Sequence, residues 1–72
     1  MQRNTKTTVG ELKTGDRFYK TTGKKTEIYE HRGNGSKPNS IATLPIYGKK
    51  FIEELKKDIQ VIFLRNINEQ SK

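Results

Sequence analysis

The chain has no cysteine and no tryptophan, one histidine, one methionine and two prolines in 72 residues. Without cysteine there is no disulfide framework and no thiolate site for zinc or iron–sulfur. No apolar run approaches the roughly 18 residues of a membrane-spanning helix. The start, MQRNTKTTVG, is basic but has no apolar stretch behind it, so it does not read as a secretory signal. The expected setting is therefore cytoplasmic, with no membrane partner, and of bacterial or phage type. Acidic residues are also scarce, eight against fifteen Lys and Arg, which leaves a net charge of +7. Hydrophobic residues make up 29% and charged residues 32%, with a mean hydropathy of -0.98. Such a chain of 8.3 kDa supports one domain with a single small core, and excludes a two-domain enzyme with a cleft between domains.

Two readings of the charge stand side by side. Lys, Ile, Thr and Asn are heavily used, a mix that AT-rich coding sequence produces without selection for a partner. The functional reading is an electropositive surface for nucleic acid or for an acidic protein.

Along the chain, residues 1–7 are expected to form a flexible arm, 8–66 a single small β-barrel domain, and 67–72 a flexible tail. Lys13-Thr14-Gly15-Asp16 reads as a turn, in which Gly15 supplies a positive φ and Asp16 bonds the backbone. Arg17 to Lys20 enters a strand. Thr26 to Arg32 has β character without Gly or Pro, so 17–32 reads as a hairpin around Gly23. The segment GNGSKPNS, 33–40, is an exposed loop. Ile41 to Leu44 is a strand that lies at an edge or is ended by Pro45. Phe51, Ile52, Leu55 and Ile59 repeat at helical spacing, with Glu53–Lys57 as an i,i+4 pair, and predict a short helix. Val61 to Leu64 predicts a central strand, apolar on both faces.

The expected fold is mainly β: an SH3-like or OB-like partly open barrel of about four to five strands, with one short helix before the last. Glu11 to Phe18 (ELKTGDRF) resembles the opening turn and strand of many SH3-like barrels. The likeness covers about eight residues and carries no functional residue across.

Chemistry-bearing motifs are absent. Gly10 and Gly15 have the spacing of a phosphate loop, but Asp16 stands where the lysine must be. Gly33 and Gly35 begin a dinucleotide pattern that Pro38 ends. His31 would need a prealigned serine and carboxylate for hydrolysis, and Ser36, Ser40 and Ser71 all fall in loops or the tail. Adjacent Glu53 and Glu54 would diverge on a helix. The expectation is a protein that is not an enzyme and needs no cofactor and no metal.

One constellation has a mechanism. If Phe18 and Ile28 face the core, then Arg17, Tyr19, Tyr29 and His31 share the outer face of one hairpin. Lys24 and Lys25 would sit at its tip, and Arg32 and Lys37 would flank its exit. Rings beside cations on a sheet stack unpaired bases and neutralise phosphates. The structural reading is that Tyr19 and Tyr29 are a cross-strand pair that only shields the sheet. Nucleic-acid binding, single-stranded or structured and of low sequence specificity, is the leading expectation. The alternative is a protein-interaction or regulatory accessory module. The chain is expected to be a monomer or a weak homodimer.

Overall fold

The computed structural model describes residues 2–46 and 51–67. Six strands are present: β1 (Thr5–Thr8), β2 (Asp16–Lys20), β3 (Tyr29–Asn34), β4 (Ser40–Pro45), β5 (Glu53–Lys56) and β6 (Gln60–Asn66). A 3-10 turn over Val9–Glu11 follows β1. The strands form one sheet in the order β1-β6-β2-β3-β4-β5, with every pair antiparallel. The sheet bends into a partly open barrel around Val9, Leu12, Phe18, Tyr29, Ile41, Leu55, Val61 and Phe63, with Ile59 packed against them. Among the described residues no helix is long and apolar enough to cross a membrane.

Several local expectations hold for physical reasons. Gly15 has φ 94°, and its N–H donates to the His31 carbonyl at 2.9 Å. Asp16 caps this turn backwards, accepting the Lys13 N–H at 2.9 Å and the Asn66 side-chain amide at 2.6 Å. That amide also donates to the Thr14 carbonyl, so the buried carboxylate and amide stitch the turn to the end of β6. Pro45 ends β4, although β4 lies inside the sheet between β3 and β5. β6 lies between β1 and β2 and is apolar on both faces. Val61 and Phe63 are buried inward, while Ile62 and Leu64 are half-buried on the other side.

Other expectations are corrected. The helix over the Phe51 stripe does not form, because Glu53–Lys56 is strand β5, paired with β4 from Thr43↔Glu53 to Ser40↔Lys56. A helix of two turns is marginal without an apolar face to bury. Of the stripe, Leu55 enters the core, but Phe51 and Ile52 stay 79% and 55% exposed. Glu53 meets Lys20 at 3.7 Å rather than forming a helical pair with Lys57. Lys49 and Lys50, the start of that expected helix, lie outside the described residues. The arm expected over 1–7 is ordered from Thr5, where β1 pairs with β6. The strand expected from Thr26 begins at Tyr29, and residues 21–28 connect β2 to β3 in place of a tight turn at Gly23. The loop expected over 33–40 shrinks to 35–39, since β3 runs to Asn34 and β4 starts at Ser40.

Candidate nucleic-acid interface

The longer connection between β2 and β3 decides which side chains share a face. The register is Arg17↔Glu30 and Phe18↔Tyr29. Tyr29, not Ile28, therefore stands opposite Phe18, and a register displaced by one residue exchanges the two faces of a strand. Tyr29 is 5% exposed and stacks on Phe18 with ring centroids 5.7 Å apart. The expected outward position of Tyr29 is overturned: it is a core residue. His31, two residues on, points the same way and is buried. Its Nδ1 accepts the Gly33 N–H at 3.2 Å. Burial lowers its pKa, and attraction to Asp16 partly opposes that shift. It too leaves the candidate interface. Lys20 lies on this inner side as well, its ammonium 5.2 Å from the Tyr29 ring centre.

The outer face keeps Arg17 and Tyr19 and gains residues that the sequence reading missed. Lys6, Ile62 and Tyr19 form one row across β1, β6 and β2. Arg65, Arg17, Glu30 and Leu44 form a second row across β6, β2, β3 and β4. Between Phe63 and Arg65, β6 carries a bulge against β2, where Leu64 is the extra residue. Beside it lies a cleft of about 180 Å³ lined by Arg3, Arg17, Ile28, Ile46, Leu64 and Arg65. Three of the four arginines of the chain thus surround one apolar floor. Arg3 is brought there by the backbone: the Asn4 N–H donates to the Phe63 carbonyl at 2.7 Å, which ties the start of the chain to β6.

The charges on this face are unevenly compensated. Glu30 is nearly enclosed, with Arg17 at 3.3 Å on one oxygen and Arg32 at 2.8 Å on the other. Among the described residues no carboxylate pairs with Arg3 or Arg65. Arg17 and Arg65 also stand directly opposite one another, an arrangement of like charges that weakens a sheet. Two guanidiniums without acids and an apolar floor between them form a surface that an anion with a flat apolar part would complete.

The remaining expected residues are dispersed. Lys24 and Lys25 are exposed in the 21–28 connection. Arg32 is on the outer face, held by Glu30. Lys37 belongs to a separate cleft of about 430 Å³, lined by Lys37, Asn39, Ser40, Lys56, Lys57 and Asp58 at the opposite end of β4. No group of three His, Asp or Glu side chains among the described residues is placed to hold a metal. No sequence signal placed Arg65 there: regular alternation from the inward Phe63 would turn it inward, and the bulge at Leu64 turns it outward. Its meeting with Arg17 depends on a pairing between residues 48 apart, which periodicity does not encode. Compared with protein families, with curated proteins and with solved structures, the chain matches none.

Proposed function

We propose that this protein is a non-enzymatic binder of unpaired nucleic acid, with little sequence preference, acting through the outer face of β6, β2 and β3. Arg3, Arg17 and Arg65 meet phosphates around the Leu64 and Ile28 floor. Tyr19 stacks on a base beside them. Lys6 and Arg32 extend the positive field along the same face, and Lys24 and Lys25 extend it into the 21–28 connection. Tyr29 and His31 have no part in contact. The observation that carries this reading is the convergence of Arg3, Arg17 and Arg65 on a cleft with an apolar floor, two of them without an acidic partner among the described residues. At about 180 Å³ the cleft is small, of a size to meet a single group of the ligand such as one phosphate.

Fluorescence anisotropy with single- and double-stranded oligonucleotides across a salt series tests the reading. Neutralising three phosphates on a single strand gives a log–log salt slope of about -2. Single strands bind more tightly than duplexes of the same length. A signal that stays flat at low salt refutes the proposal. An acidic protein surface is the second reading, and its support is the same pair of guanidiniums, Arg3 and Arg65, which meet no carboxylate among the described residues.

A further inference from the structure

β5 is the last strand of the sheet, and among the described residues no strand pairs with its outer side. Its backbone polar groups divide cleanly between the two sides. The Lys57 N–H donates to the Asn39 carbonyl at 2.9 Å, so 39 and 57 are a hydrogen-bonded pair. Ser40 is committed elsewhere: its N–H donates to Lys37 and its carbonyl accepts the Gly35 N–H, both within its own hairpin. In an antiparallel ladder, hydrogen-bonded and non-bonded pairs alternate. Glu53 and Leu55 therefore bond to β4 through Thr43 and Ile41, while the N–H and C=O groups of Glu54 and Lys56 point away from the sheet. The 3-10 turn reaches β5 only at its far end, where the Gly10 N–H donates to the Lys57 carbonyl. One further bond touches the edge, from the Ile59 N–H to the Lys56 carbonyl at 3.2 Å, and a carbonyl accepts two.

The sequence of this edge is self-complementary. Residues 53–57 read EELKK. When two such strands run antiparallel with Leu55 on the two-fold axis, Glu54 stands opposite Lys56 and Glu53 opposite Lys57, in both directions. Glu54 and Lys56 are exposed, and in that register their outward N–H and C=O groups meet as hydrogen-bonded pairs. The Glu54 carboxylate also accepts from the Ser36 N–H and from the Ser36 and Ser40 hydroxyls at 3.0–3.1 Å, so a facing Lys56 would share it with that loop. A charged edge commonly serves to keep other strands away. A block of one sign would do so; acids on one side of Leu55 and bases on the other offer a foreign strand of uniform charge no net attraction and fit a second copy. Phe51 and Ile52, exposed at the entry to β5, come to lie beside the ends of the joined pair.

We infer that the outer edge of β5 is a self-recognition strand, on which a second copy of this chain pairs antiparallel about Leu55 and continues the sheet. The contact is small, so the dimer is weak and reversible. It is independent of the arginine cleft and stands or falls without it.

Sedimentation equilibrium of nuclease-treated protein tests it. The apparent mass rises from 8.3 kDa toward twice that value as concentration approaches about 1 mM. Lys56→Pro removes an N–H that the folded chain itself does not use, and leaves the protein monomeric throughout. Lys56→Glu alone places like charges opposite one another and weakens association by roughly tenfold. Glu54→Lys alone does the same and in addition gives up the bonds from Ser36 and Ser40. Mixing these two variants restores both opposite-charge contacts and recovers the dimer. A wild-type mass that stays at 8.3 kDa up to that concentration overturns the inference. So does a dimer that persists in Lys56→Pro, or a mixture that associates no better than its parts. Should Lys56→Pro fail to fold, the mixture decides.

Discussion

The two faces of β2 are one residue apart in sequence and differ in nearly every physical respect. Phe18 points inward, is fully buried and stacks on Tyr29. Tyr19 points outward, half-buried, beside Ile62 and Lys6. On the inner side the buried polar groups find partners, and no buried side-chain nitrogen or oxygen among the described residues lacks one. On the outer side, apolar groups are only partly covered, and two arginines face no acid among the described residues. A small barrel has enough apolar side chains to close one face. What remains half-covered on the other is available for contact.

The sharpest way to break this contrast is to truncate one ring on each face. Phe18→Ala should lower stability by about 3–5 kcal/mol, enough to unfold much of so small a domain. Tyr19→Ala should change stability by less than about 1 kcal/mol yet weaken single-strand binding by about 1–3 kcal/mol. Urea melts and anisotropy on the same samples separate the two. Equal losses of stability would place both rings in the core.

A smaller effect comes from His31 on the inner face. Its folded pKa lies below the ordinary value of 6.5 because burial disfavours the charged ring. The folded state therefore binds fewer protons than the unfolded chain. The stability this provides is fully present above pH 6.5 and is lost as pH falls toward the lowered folded value. Melts between pH 7.5 and 5 should show that decline, and His31→Asn should remove it. A wild-type curve unchanged over this range would mean that the ring titrates as if exposed.

The smallest change in stability is expected at Arg65. Arg65→Gln removes the like-charge contact with Arg17, so the melt should move by no more than about 0.2–1 kcal/mol, in the stabilising direction. The magnitude of the single-strand salt slope should fall by about 0.7. A loss of stability with no change in slope would assign Arg65 to the fold and sharpen the division in the opposite sense.

Much of the architecture was legible in the sequence. The turn at Lys13–Asp16 is carried by Gly15 and Asp16, whose chemistry is local. The position of β6 is carried by Val61 to Leu64, because few four-residue runs in this chain could line a core. Tyr29 was misplaced for a different reason. The sequence reading set its face from an assumed tight turn at Gly23, and a connection of another length exchanged Ile28 and Tyr29. β5 was misread because Leu55 fits a helix and a strand equally well when its neighbours stay in solvent. The meeting of Arg3, Arg17 and Arg65 was not legible, since it depends on two strand pairings and on the bulge at Leu64. Of the residues expected at the interface, Arg17 and Tyr19 share the outer face with Arg32, and Tyr29 and His31 are inside.

Glu30 gives the outer face its own internal counter-ion. On the proposed reading, an arriving phosphate would find Arg3 and Arg65 without a carboxylate among the described residues, but would have to compete with a resident carboxylate for Arg17 and Arg32. A single small anion would gain little from that exchange, whereas a strand with several phosphates would settle on Arg3 and Arg65 first and displace the carboxylate afterwards. Release would then need no change of fold, because Glu30 stands in place to reclaim both arginines.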